Sequence, residues 1–125
     1  MNEIKNAEKE NIFAGVRAAY KAVDDKQGED IMVLDISTIS PLADYFIIAS
    51  AGNSNLLKAM AEAVDEALHP LGITTRHVEG AQSARWILMD FGCIIVHLFH
   101  REEREFYRLE KLWGDARHLM VEELE

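Results

Sequence analysis

The residues able to do chemistry fall in a few places. Ser50-Ala51-Gly52-Asn53-Ser54 stands where a strand is expected to meet a helix N-terminus, and backbone N–H groups at such a junction favour anions. It has one glycine and no following lysine, so it is not a P-loop. Nucleotide chemistry at such a loop needs two acidic residues alternating on a neighbouring strand to hold a divalent metal. No Asp-x-Asp or Asp-x-Glu falls on an expected strand; Asp35 and Asp90 each stand alone, near strand ends. The histidines are His69, His77, His97, His100 and His118. His97 and His100 fall on opposite faces of one strand and cannot share a metal there, and no Cys-x-x-Cys or His-Glu-x-x-His occurs. His97, in an apolar strand, reads as a core histidine. The single cysteine, Cys93, reads as a small core hydrophobe. Asp90-Phe91-Gly92 matches a kinase tripeptide in letters only, because the chain is too short for the other kinase parts. No metal, cofactor or assembled catalytic site is expected, and the protein reads as a non-enzyme.

The elements around these residues follow from hydrophobic spacing. Ile12, Val16, Ala19, Tyr20 and Val23 recur at helical intervals, predicting a helix from about Glu8 that Gly28 stops. Residues 1–10 are charged and expected to fray. Ile31–Ile36 and Asp44–Ser50 read as strands, joined by the Pro41 loop and close enough to pair antiparallel. Asn53 or Ser54 would cap a helix to Leu68 with the stripe Leu57, Met60, Ala61, Val64 and Leu68, ended by Pro70 and Gly72. Ile73–Val78 predicts a third strand. Arg101–Leu112 predicts a helix with Phe106, Leu109 and Trp113 on one face, broken or bent at Gly114, and Ala116–Leu124 a further acidic helical segment. The result is an α+β (mixed αβ) class, with one mixed sheet flanked by helices. The chain is expected to be one domain, 1–125, with its ordered core over about 8–116.

The organising stretch is Glu79 to His100. Arg85–Met89 and Ile94–Phe99 are two strands around Asp90-Phe91-Gly92, and both are apolar on two faces where a half-exposed hairpin would alternate. Helices explain one covered face; the other needs a second layer or a partner. A three-residue loop, Asp90-Phe91-Gly92, is favoured because it spares Phe91 a positive φ, and it would set Trp86 and Leu88 beside Ile94 and Val96. A two-residue loop would place Trp86 opposite His97. Trp86 with Leu88 is therefore either core or the centre of a binding patch, and the second apolar face favours binding.

Composition narrows the partner. The chain has 13 basic and 22 acidic residues, a net charge of −9. Phosphate backbones are bound by Lys and Arg, so nucleic acid is not expected as the main contact. A basic protein is one partner that long-range attraction would favour, although the charge also serves solubility. No apolar run approaches a membrane span, the first residues lack a signal-peptide core, and one cysteine fits a reducing compartment, so a cytoplasmic location is expected.

Certain pieces together resemble the ribosomal silencing factor family (RsfS, also called Iojap-like). They are Asp44-Tyr45-Phe46-Ile47-Ile48; Gly52-Asn53-Ser54; Glu79-Gly80; Trp86-Ile87-Leu88 with Asp90 and Gly92; Ile95-Val96-His97; and Phe106-Tyr107-x-Leu109-Glu110-x-Leu112-Trp113. Their order and spacing run from about Asp30 to Ala116. Cys93 departs from the polar or acidic residue usual after that glycine. The resemblance implies a nucleotidyltransferase-like fold without the catalytic carboxylates. It also implies binding to the large ribosomal subunit through the universal large-subunit protein number fourteen, blocking small-subunit joining and repressing translation, with a homodimer when free. Carried over by motif, the partner-binding residues are Trp86, Leu88, Asp90, Glu79 and Gly80. The alternative is a nucleotidyltransferase-like enzyme or nucleotide-binding protein using Gly52–Ser54.

Overall fold

The computed structural model describes residues 2–107 and 116–124. The chain runs α1 (Asn2–Asp25), β1 (Glu29–Asp35), β2 (Tyr45–Ala51), α2 (Ser54–Leu68), a 3-10 turn (His69–Leu71), β3 (His77–Glu79), β4 (Trp86–Asp90), β5 (Ile94–His100), α3 (Arg101–Tyr107), β6 (Arg117–His118) and α4 (Val121–Leu124). The strands form one mixed sheet in the order β3-β4-β5-β2-β1-β6. Among the described strands only β2 and β5 run parallel, and the chain between them passes through α2, β3 and β4. The mixed α+β class expected from the sequence is the one observed.

Both long helices pack on one face. Val16, Ala19 and Val23 of α1 and Leu57, Met60, Val64 and Leu68 of α2 are buried against Val33, Ile47, Ile87, Val96 and Leu98 of the sheet. These are the apolar stripes expected at helical spacing. Helix α1 starts at Asn2, earlier than the fraying expected over residues 1–10. Asn53 caps α2: its Oδ1 accepts a hydrogen bond from Leu56 N at 2.8 Å, satisfying one free N–H of the first turn.

The opposite face gathers Leu34, Ile36, Ala43, Phe46, Ile48, Phe99 and Ala116 into a second buried cluster, with Met32, Trp86 and Ile95 half-buried at its margin. Burial on this face is complete over β2 and thins toward β4 and β3.

Three expectations need correction. The hairpin turn is Gly92-Cys93, not Asp90-Phe91-Gly92: Phe91 N–H donates to Ile94 O at 2.9 Å, and the ladder pairs Asp90 with Ile95, Leu88 with His97 and Trp86 with Phe99. Gly92 takes the positive φ of +88° at the first turn position, and Phe91 stays in the ladder, buried on the helix side. Trp86 and Leu88 therefore share a face with Ile95, His97 and Phe99, while Ile94 and Val96 turn to the helices. The third strand is only His77–Glu79. Residues 73–75 are drawn to α2 instead, where Ile73 N–H bonds Leu68 O and the Thr75 hydroxyl donates to Asp65 Oδ1 at 2.6 Å, and the chain rejoins the sheet at Arg76, whose N–H donates to Asp90 O at 2.8 Å. After Ala116 the chain does not continue as a helix. Arg117 and His118 add strand β6 to β1, opposite Asp35 and Leu34, before the short α4, both past the expected core edge at residue 116. Of the expected last helix, α3 covers Arg101–Tyr107; Leu109 and Trp113 and the break expected at Gly114 fall outside the described residues, as does the side chain of Phe106.

Asn53→Ala should lower stability by about 1 kcal/mol, the usual worth of an N-cap side chain. Urea unfolding measures it; an unchanged midpoint would mean that the cap bond contributes nothing.

Candidate functional site

The Gly52–Ser54 junction is occupied by the protein's own groups. The Arg101 guanidinium lies across the open flank of Gly52, where an added Cβ would stand 2.9 Å from its terminal nitrogen. Arg101 is paired with Glu29, donating from Nε to Oε1 at 2.8 Å. That bond holds the Glu29 carboxyl below the usual carboxylate range. Arg104, buried beneath, donates to Glu29 O at 3.1 Å. The Arg101 charge beside the junction is thus already matched by a carboxylate.

The structure also assembles carboxylates that spacing alone did not group. Asp35 and Asp44 flank the turn between the antiparallel strands β1 and β2. With Glu8, Lys9, Ile12, Ser37 and Tyr45 they line a hollow of about 500 Å³. Asp35 is engaged there as a turn former, accepting from Ser37 N at 3.0 Å and Ser37 Oγ at 2.6 Å. Burial, then the nearby Asp35 charge, pushes the Tyr45 phenol up. This hollow lies at the N-terminal end of β2 and Gly52 just past its C-terminal end. Seven strand residues separate them by roughly 20 Å at about 3.3 Å per residue. A phosphate at Gly52 and a metal at Asp35 and Asp44 could not meet. Among the described residues no group of three or more His, Cys, Asp or Glu could hold a metal.

The Trp86 region is built differently. Glu79, Gly80, Trp86 and Leu88 line one notch of about 260 Å³. They converge because β3 pairs antiparallel with β4, setting Glu79 opposite Leu88. Four of the five residues carried over by motif thus meet in one place. Asp90 stands apart from the notch, opposite His77, and its Oδ1 accepts from Gly92 N at 2.7 Å, a turn-fixing role. The Glu79 carboxylate is exposed and accepts from His77 Nε2 at 2.9 Å in the tautomer protonated there.

Trp86 is held from several sides. Its ring stacks on Phe99 with centroids 4.8 Å apart and planes at 29°. Its Nε1–H donates to His97 Nδ1 at 3.2 Å. The loop before it doubles back tightly: Ala84 N–H donates to Gly80 O at 2.9 Å, and Ala84 itself has φ +50°. Gly80, at φ +79°, passes so close to the Trp86 carbonyl that an added Cβ would stand 2.0 Å from its oxygen. Any side chain at residue 80 must displace the Trp86 backbone. Arg85 ties the start of β4 to α3, its Nε donating to Glu103 Oε1 at 3.0 Å and a terminal nitrogen to Glu102 Oε2 at 3.0 Å.

His97, a core histidine by sequence, is 6% exposed, and burial pushes its pKa from 6.5 down to about 4. His97 and His100 do lie on opposite faces, beside Ile48 and Ala51 respectively. Cys93 is at the hairpin turn and half-buried, and burial pushes its thiol up, away from the reactive thiolate.

Gly80→Ala should cost roughly 2 kcal/mol or more through backbone strain and the clash with Trp86, and should shift tryptophan emission. Urea unfolding followed by fluorescence measures both, and an unperturbed variant would contradict the close approach. Acid should weaken the fold through His97. The unfolded histidine takes up a proton near pH 6.5 and the folded one only near pH 4. The stability due to neutral His97 is full above pH 6.5 and falls by about 3 kcal/mol as pH drops to 4. Denaturation midpoints across that window should fall less steeply in His97→Leu; equal slopes would remove His97 as the cause.

Comparison with known proteins agrees with this architecture. Residues 9–125 match the family model described as ribosomal silencing factor during starvation. The chain is 44% identical over 101 residues to the ribosomal silencing factor RsfS of Bacillus subtilis strain 168, covering 81% of this chain and 86% of that one. A crystal structure of a Chromobacterium violaceum protein superposes with a TM-score of 0.77 at 33% identity, covering 80% of this chain and 83% of that one. One from Bacillus halodurans does so with a TM-score of 0.73 at 35% identity, covering 84% and 95%. With the family model spanning nearly the whole sequence, and relatives alike in both residues and fold, the chain belongs to the ribosomal silencing factor family.

Proposed function

We propose that the protein binds the large ribosomal subunit through the universal large-subunit protein number fourteen and thereby blocks joining of the small subunit. Translation is repressed by exclusion, and no bond is made or broken. A factor occupying one interface excludes a competitor by mass action. The reading rests on family membership, and one observation supports Trp86 as the point of contact. Trp86 and Leu88 form a half-exposed apolar pair at the open margin of a buried sheet face, with the exposed Glu79 carboxylate beside them. Apolar anchors flanked by charge are the ordinary form of a protein-binding patch. The net charge of −9 favours approach to a basic partner. Gly80 serves by fixing Trp86, and Asp90 by fixing the turn that sets its register. No cofactor enters the mechanism, nucleic acid is not the main contact, and the protein works in the cytoplasm. When free it forms a homodimer.

The nucleotidyltransferase alternative is weaker on three grounds: Arg101 and Glu29 fill the Gly52 junction, Asn53 caps its own helix, and the carboxylate pair sits at the far end of the strand.

Co-sedimentation with separated ribosomal subunits tests the proposal. Wild type should pellet with the large subunit alone. Trp86→Ala, folded by circular dichroism, should lose about 2 kcal/mol of binding or more, roughly thirtyfold in affinity. Failure of wild type to pellet with either subunit would overturn the reading, and nucleotide binding at Gly52 would be the next measurement.

A further inference from the structure

His97 presents a puzzle in the cluster beneath Trp86. Its Nδ1 accepts the indole N–H of Trp86 at 3.2 Å. A neutral imidazole that accepts at Nδ1 carries its proton on Nε2. That Nε2 is buried and has no hydrogen-bond partner among the described residues. The ring sits among aromatics, edge-on to Phe46 at 5.0 Å and 6.2 Å from Phe99. A buried donor with no acceptor is a cost to folding, and a leucine of similar size would avoid it. For the fold alone, histidine is a poor choice at this place in β5.

We propose that His97 is a positioning residue for the Trp86 anchor: its Nδ1 takes up the indole N–H, fixes the ring on Phe99, and leaves Trp86 to meet a partner as an apolar edge. This rests on Trp86 being the anchor of the surface described above, and it adds what the partner must look like. Because the one polar atom of the indole is satisfied internally, the partner's contact with Trp86 is an apolar surface and not a hydrogen-bond acceptor. Polar recognition falls to the neighbouring Glu79 carboxylate. A pre-set ring also avoids the ordering cost that a freely rotating anchor would meet on binding.

Three variants of the full chain separate positioning from plain structure. His97→Leu removes the acceptor and the orphan donor together. His97→Asn keeps an acceptor close to where Nδ1 stands. Trp86→Phe assigns the Trp86 indole N–H signal against that of Trp113. Hydrogen exchange by NMR should find the Trp86 N–H protected in wild type and His97→Asn, and exchanging at least tenfold faster in His97→Leu. Urea unfolding at pH 7.5 should find His97→Leu as stable as wild type or more so, whereas its affinity for the large subunit should fall about tenfold and that of His97→Asn much less. A wild-type indole N–H exchanging as fast as in an unfolded chain would overturn the proposal. So would a His97→Leu variant that binds as tightly as wild type, or one that loses stability and binding in step. Wild type failing to bind the subunit at all would instead sink the ribosome reading, and the exchange rates would still decide whether His97 holds Trp86.

Discussion

The pairing of Phe91 with Ile94 across Gly92-Cys93 decides which face every residue of the β4-β5 hairpin takes. Side chains alternate along a strand, so a slip of one residue would exchange the two faces. The register is held from three directions. Gly92 adopts a positive φ, Asp90 accepts its amide hydrogen, and Phe91 is buried against the helices. With that setting, Ile87, Met89, Val96 and Leu98 complete the core under α1 and α2. Trp86, Leu88 and His97 are delivered to the other side. Everything proposed for Trp86 depends on this turn.

Around that register the molecule accepts local strain to hold one side chain. Ala84 and Gly80 both take left-handed backbone, and the chain at Gly80 nearly touches the Trp86 carbonyl. His97 has a buried donor without an acceptor among the described residues, while its other nitrogen receives the indole. Strained backbone and unmet polar groups persist where the surrounding packing over-determines them, and they cluster where a group must be aimed. Ala84, Gly80 and His97 all bear on one residue at the margin of the buried outer face, while the other left-handed non-glycine residues, Gln27 and Asp30, lie where α1 passes into β1. The strands beyond that margin are short: β3 has three residues, all exposed.

The two ends of β2 explain why a fold with a strand–loop–helix junction need not do nucleotide chemistry. At one end Asn53 and Arg101 fill the space around the helix N-terminus, and Glu29 neutralises the arginine. At the other end Asp35 and Asp44 come together, but Asp35 is engaged with Ser37. The separation is the length of the strand. The strand–helix junction and the carboxylate pair stand at opposite ends of β2.

Local pattern alone was enough to reveal the two long helices, a cap at Asn53 or Ser54, strands β1, β2, β4 and β5, and the apolar pair Trp86 and Leu88, whereas Glu79 and Gly80 entered only through the family resemblance. Helical spacing, turn chemistry and apolar runs are short-range properties, written within a dozen residues. Four things were settled only by the tertiary structure. The hairpin register turned on whether Phe91 is buried, which depends on helices more than twenty residues away. Residues 73–75 left the sheet because α2 offered hydrogen bonds that no strand pattern records. Arg117-His118 became a strand because the edge of β1 stood open to pair with it. And the bond between Trp86 and His97 joins strands by a diagonal that exists only in the observed register. Strand pairing and burial are decided between segments distant in sequence, so a chain can announce which residues matter before it shows which of them will touch.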